Sequence, residues 1–455
     1  MNIPGWVAGL VLAVGLAAPA AAAPLEAYGG LPSIESIEIS PDGSKLAIAM
    51  STGEQRMLGI KPLPAGPMQT YAVGAAKVRR LDWFGSDRVI VTTSTTSWVP
   101  GLIGPRREWL LGFDLDLARH KATPLLSGSP GRGQIVQRRA SERVTGSMNV
   151  LAGPPEVHVI GGMPTLFLRG ITFPADTGVL TILKVDMNTR RTEIAELGVI
   201  DTDDFVLGQD GVPLARSDYD DKTGKWVLRL RRDKTGWKVN RTLEAKTEPP
   251  FLAGLGRDGR SVIVGEMAET GFEVREVAFD GTWGDPLELS DVDAMIHDPL
   301  THRLIGYYAL AGDEDRYTFF DPADQKTWNA VRAAFPGDRV QLESWSQDRK
   351  KIVVLVDSPT EGPAYALVDL ATKRTDWLFA RYKSLTAKDI SPVRPIRFKA
   401  NDGTELSGYL TTPYGAPAKN LPLVVFPHGG PASRDARAST GGPRRWPAAA
   451  MRCSR

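Results

Sequence analysis

The residues best suited to chemistry sit near the carboxyl end, in Pro427-His428-Gly429-Gly430-Pro431. Paired glycines let a backbone approach a bound molecule with no Cβ in the way. The other reactive types are sparse. The histidines His120, His158, His297, His302 and His428 are scattered without metal-ligand spacing. His297 and His302 flank a turn with no cysteine or glutamate ladder nearby, so no metal centre is expected. Cys453 is the single cysteine, which excludes an internal disulfide framework and a cysteine-based zinc site. No Gly-x-Ser-x-Gly occurs; Gly259-Arg260-Ser261-Val262-Ile263 lacks its last glycine, and no histidine follows His428. The pairs Asp82-Trp83 and Asp376-Trp377 are expected to be packing residues, and Arg229 to Lys234 a solvated hairpin.

The elements around that segment differ from those before it. Ile396 to Ala400 and Leu406 to Leu410 alternate as strands around Asn401-Asp402-Gly403, a type I′ hairpin signal. A linker from Pro413 to Asn420 leads into Leu421-Pro422-Leu423-Val424-Val425-Phe426, an apolar run that reads as a strand buried on both faces. From Leu31 to about Arg381 the text is instead short β-rich runs between turns. Ser40-Pro41-Asp42-Gly43 leads into Lys45-Leu46-Ala47-Ile48, and Gly256-Arg257-Asp258-Gly259 into Ser261-Val262-Ile263-Val264. Looser copies surround Asp87, Asp210, Asp298 and Asp348. A second marker, a strand ending in Asp before a polar turn and another strand, recurs at Asp114, Asp186, Asp280, Asp321 and Asp369. The first markers fall roughly 40–50 residues apart, except between Asp87 and Asp210, where one divergent unit fits. That period, with about four strands per unit, predicts a mainly β fold: a seven-bladed β-propeller over residues 24–381.

Composition agrees. The 455 residues are 42% hydrophobic and 24% charged, which excludes global disorder. A formal charge of +2 gives no reason to expect nucleic acid as a partner. Val7 to Ala18 is an apolar run followed by Pro19 and the alanines Ala20 to Ala23, the pattern of a secretory signal over residues 1–23. It is too short for a stable membrane span. Pro24 favours cleavage after Ala22 over cleavage after Ala23. An exported chain without mature structural cysteines suits a bacterial periplasm.

A propeller, then a hairpin around Asn401-Asp402-Gly403, then a strand ending in Pro427-His428-Gly429-Gly430-Pro431 resembles the prolyl oligopeptidase family of serine peptidases. Within it the likeness is to the acylaminoacyl-peptidase and dipeptidyl-peptidase branch, and it covers nearly all of the chain to about Ala436. The resemblance implies an incomplete α/β-hydrolase domain beginning at residues 382–436, a substrate class of short peptides, and no cofactor. It makes Gly430 an oxyanion donor with Gly429 beside it, and His428 and Pro431 motif residues outside the triad. The chain departs from the family in lacking catalytic Ser, Asp and His. Residues 437–455 lose strand and helix pattern and are rich in Arg, Pro and Ala. Back-translated with GC-rich codons and shifted by two nucleotides, they read GFDWWAQALASRGYAVL: an amphipathic helix, a turn and an apolar strand. The tail therefore reads as a frameshift product. The expectation is a serine-type peptidase of which this chain is an inactive form; the rival is a non-enzymatic propeller that binds a protein or ligand.

Overall fold

Each propeller blade starts from a turn whose chemistry is local. Asp42 accepts hydrogen bonds from Ser40 Oγ (2.6 Å), Ser44 N (3.0 Å) and Ser44 Oγ (2.8 Å), while Gly43 takes φ 68°. The same closure of an aspartate onto the backbone two residues ahead recurs at Asp210, Asp258, Asp298 and Asp348. The strand after the turn is then buried on both faces, as at Val262–Val264 and Ile352–Val356. The computed structural model describes residues 23–97, 107–126, 149–174, 178–232, 236–269, 271–289, 292–359, 361–391, 393–412, 419–427 and 449–454.

Seven antiparallel sheets result, over residues 34–74, 77–124, 156–197, 202–244, 251–287, 294–319 and 339–380; we number these blades 1 to 7. The divergent unit is blade 3. Its first turn is Gly161-Gly162, both at positive φ (59° and 79°), with Ile160 paired to Met163. That is a two-residue type I′ turn without the aspartate that marks the others.

The core lies between blades rather than within them. Each buried apolar cluster joins two neighbours, such as Ile37, Leu46 and Ile48 of blade 1 with Val353, Leu355 and Tyr365 of blade 7. The remaining clusters complete the ring in sequence. Blade 1 is built wholly from the first strands and blade 7 wholly from the last, so no exchanged strand seals the ring. Side-by-side contacts close it: Ser33 N to Arg381 O at 2.7 Å, Gln347 N to Pro41 O at 2.8 Å, and Tyr365 OH to Glu35 O at 3.1 Å.

Blade 6 departs from the expected pattern. Phe320-Asp321 does not introduce a fourth strand; Asp321 caps the helix Pro322–Ala333, accepting from Ala323 N at 2.8 Å, with proline in its first turn. Trp328 and Val331 fall on one helix face and fill the blade 6/7 core. In blade 2 the strand ends at Asp116, which accepts from Arg119 N. The expected Asp114 is instead buried within it and paired to Arg88 (2.7 Å) and Arg190. Arg229 and Arg231 also differ from expectation. They do sit at a hairpin, between the paired strands Lys225–Leu230 and Lys238–Glu244, and Arg232 is exposed there, but Arg229 pairs with Asp218, and Arg231 pairs with Glu196 and lies over the Trp237 ring. Trp83 is buried as expected, but Trp377 is 58% exposed, with one edge on Phe335.

After blade 7 a separate sheet forms in the order Val393–Lys399, Glu405–Thr411, Ala449–Ser454, Leu423–Pro427. The first three strands pair antiparallel and the last two pair parallel. The hairpin turn is not type I′: only Gly403 has positive φ, and Gly403 N bonds to Ala400 O. It is a type I turn closed by a glycine bulge, for which Asn-Asp-Gly is equally suited. Leu423, Val425 and Phe426 are each more than half exposed. The expected double burial is not seen, because among the described residues no helix covers either face. The strand Ala449–Ser454 also lies where the sequence showed no strand pattern.

Candidate functional site

The segment singled out by sequence, His428, Gly429, Gly430 and Pro431, lies outside the described residues. Its approach is described: the parallel strand Leu423–Pro427 delivers it from a carboxyl end. In open sheets with parallel strands, ligands bind outside those ends, where loops can fan apart.

The propeller supplies a second site, which sequence reasoning did not find. The innermost strands of all seven blades wall a central channel of about 1250 Å3. Carboxylates face it from several of them: Glu38, Asp82, Glu156, Asp204 and Glu343. Each follows from strand alternation, as in Ile37-Glu38-Ile39 or Leu81-Asp82-Trp83, where the apolar flanks enter the cores between blades. That alternation was the available signal.

Two arginines organise the acids. Arg80 Nε meets Asp82 Oδ1 at 2.6 Å. Arg169 bonds Glu156 Oε1, Asp204 Oδ1 (3.0 Å) and Phe205 O (2.7 Å), joining blades 3 and 4. Burial alone would raise Glu156, but Arg169 and the hydrogen bond from His158 hold its carboxyl well below the usual range. Elsewhere burial prevails: it raises Asp82 despite Arg80, raises Glu38 with help from Asp82 and Glu343, and pushes Glu343 up to about 7.

The ring also brings together residues far apart in sequence. His302 reaches across from blade 6, where its Nε2 is 3.0 Å from Val157 O of blade 3, and its ring stacks on His158 at 4.0 Å. His158 Nε2 is 3.1 Å from Glu156 Oε2. The acid absent from the sequence neighbourhood of His302 is thus supplied by another blade. Glu156, His158 and His302 could each offer one ligand atom to a cation, all within 4.8 Å of one another. The arrangement suits hydrogen bonding between blades 3 and 6 better. Arg169 already occupies one carboxylate oxygen, and stacked rings direct their in-plane lone pairs past each other rather than to one point. Burial and His158 lower His302 to about 4, so it is a neutral imidazole near pH 7.

Backbone strain marks the same region. Blades 1, 4 and 5 place Gly43, Gly211 and Gly259 at the left-handed position of the first turn, whereas blades 6 and 7 place His302 (φ 57°) and Arg349 (φ 58°) there. That conformation costs roughly 1–2 kcal/mol for such residues. It is offset by the His302 contacts and by Arg349, which pairs with Asp298 and lies 4.0 Å over the Trp345 ring. On blade 5, Gly254 (φ 107°) is required, since a Cβ there would lie 2.8 Å from His297 Nε2. Chemically, the channel can admit and orient a short polar chain. Its hydroxyl at Ser344 is committed to the blade 7/1 junction, bonding Ile39 N and Ile37 O at 3.0 Å each.

No protein-family model matches the sequence, and no curated protein does. Solved structures do match. A puromycin-hydrolysing peptidase of Mycobacterium tuberculosis is 14% identical with a TM-score of 0.52, covering 95% of this chain and 68% of its own. An acylaminoacyl peptidase of Pyrococcus horikoshii is 11% identical (TM-score 0.54; 93% and 65%), and dipeptidyl peptidase 4 of Porphyromonas gingivalis 10% (0.50; 94% and 72%). These neighbours are peptidases of the prolyl oligopeptidase family, and at such identities the likeness is one of fold.

Proposed function

We propose that this chain is the propeller and opening hydrolase strands of a serine peptidase of the prolyl oligopeptidase family, acting on short peptides. One observation carries the reading: a seven-bladed ring is joined, in one chain, to a sheet whose parallel strand Leu423–Pro427 runs directly into His428-Gly429-Gly430-Pro431. In such a peptidase a serine attacks the peptide carbonyl, a histidine acts as base and then acid, and backbone N–H groups hold the oxyanion. Gly430 would be one such donor, with Gly429 giving the substrate clearance. The channel, with its carboxylates, would restrict access to narrow, extended peptides.

The nucleophile, acid and base are missing from the sequence, so the 455-residue chain cannot form an acyl-enzyme. The frameshift reading gains support from the sheet. The strand Ala449–Ser454 falls where the shifted text reads GYAVL, the apolar strand of the alternative frame. The same reading includes export, with the mature chain beginning near Ala23.

A fluorophosphonate probe tests the assignment. The chain as given should remain unlabelled, and a version with the frame restored at codon 437 and its downstream sequence should be labelled and should release aminoacyl or dipeptidyl reporters. Labelling of the short chain at any serine, or a folded restored protein that stays unlabelled, would sink the peptidase reading and favour a non-enzymatic binding propeller.

A further inference from the structure

The channel and the sheet leave one polar arrangement unexplained, where the start of the described chain meets the segment between propeller and sheet. Ala23 N donates to Asp389 Oδ1 at 2.8 Å. The other oxygen of Asp389 is already used, accepting from Thr386 N (2.8 Å) and Thr386 Oγ1 (2.7 Å) within a capped turn. Oδ1 is thereby turned toward the chain start. A second bond ties the same two segments: Tyr28 OH to Asp389 O at 3.1 Å, from the short helix Leu25–Gly29 that begins just after Pro24.

We propose that Ala23 is the amino terminus of the processed protein and that Asp389 is the acceptor for its ammonium group. This rests on the export reading and is independent of the peptidase reading. Ala20 and Ala22 supply the two small residues of the cleavage pattern, and Pro24 sits one residue past the new terminus, clear of the scissile bond. A leader-removing endopeptidase of the export path breaks the Ala22–Ala23 amide by adding water. Ala22 leaves as a carboxylate, and the Ala23 nitrogen takes up protons to become an ammonium.

An amide N–H on a carboxylate is already a charge-assisted hydrogen bond; an ammonium in the same place adds a full opposite charge and makes it an ion pair as well. Asp389 is already held below the usual carboxylate range: burial opposes this, but the Thr386 and Ala23 hydrogen bonds outweigh it. The other charged groups nearby in sequence, Glu26 and Lys388, are exposed. Processing would thus pin the Thr386–Asp389 turn, which links Ala380 at the end of blade 7 to the strand Val393–Lys399. The uncleaved precursor would hold that turn more loosely.

The experiment uses exported full-length protein. Amino-terminal sequencing should give Ala23. Reductive methylation with 13C-formaldehyde, followed by NMR titration, should find the terminal amine about half a unit to one unit above its ordinary value near 8. The elevation should vanish in Asp389→Asn and, in the wild type alone, shrink in 1 M salt. A chain beginning at Met1 overturns the export reading itself. A chain beginning at Ala23 whose amine titrates alike in wild type and D389N, with no salt effect, leaves export intact and overturns the ammonium site. A mature terminus elsewhere overturns it too.

Discussion

Glu343 faces the channel from blade 7, and burial holds its carboxyl near 7 against a usual 4.5. Folding therefore favours its neutral form. Its contribution is fully present below about pH 4.5 and is lost as pH rises through 7. Glu343→Gln should be more stable than wild type at pH 8 by on the order of 2 kcal/mol, and equal to it near pH 4.5. His302 works in the opposite sense. Its folded pKa is lowered from 6.5 to about 4, so its contribution is present above 6.5 and is lost as pH falls toward 4. His302→Gln can still donate to Val157 O, yet it should lose less stability than wild type between pH 6.5 and 4, by about 1–2 kcal/mol. Urea midpoints across pH measure both; curves parallel to wild type would contradict these assignments. Glu343 did not stand out in sequence, and His302 stood out there only as a turn residue without an acidic neighbour. Glu343 needed the knowledge that its strand is innermost, and His302 needed blade 3 as a partner.

At the scale of elements, what could be read in the sequence was what is decided locally. An aspartate closing on the backbone two residues on, with glycine next to it, needs nothing from the rest of the chain, and those turns fall where Asp42, Asp210 and Asp258 placed them. Blade 3 was hidden because Gly161-Gly162 does the same job with different residues. The helix Pro322–Ala333 was missed for the converse reason: Phe320-Asp321 matches the strand-ending marker, but Asp-Pro is also a helix start, and Trp328 and Val331 three residues apart signal a buried helical face. The cap should be worth having. Asp321→Ala should cost about 1 kcal/mol in thermal or urea unfolding, whereas Trp328→Ala should cost roughly 3–5 kcal/mol by opening the blade 6/7 core. Equal effects would mean the helix is held by its end rather than by its face.

For the whole molecule, the contrast is between a ring with a core at every blade junction and a four-stranded sheet with an open apolar strand. Among the described residues, one tie of the sheet to the blades is Tyr409 OH on Asp313, in the second turn of blade 6. No helix of the described chain is long and apolar enough to cross a membrane. Limited proteolysis should cut first between Arg381 and Val393 and leave a resistant core ending near that point. A resistant fragment that instead extended through Leu423–Pro427 would show the sheet to be as firmly held as the blades. The closure of the ring has a further consequence. Because Ser33 and Arg381 are hydrogen-bonded neighbours, the place where the polypeptide enters the circle is arbitrary from the standpoint of the circle itself. A circularly permuted gene, joining these two residues through a few glycines and opening instead at the exposed Asp221–Lys222 turn of blade 4, would encode the same seven junctions in a different order. The start and finish of the blade sequence are a matter of gene layout, while the order of neighbours around the axis is what the packing specifies.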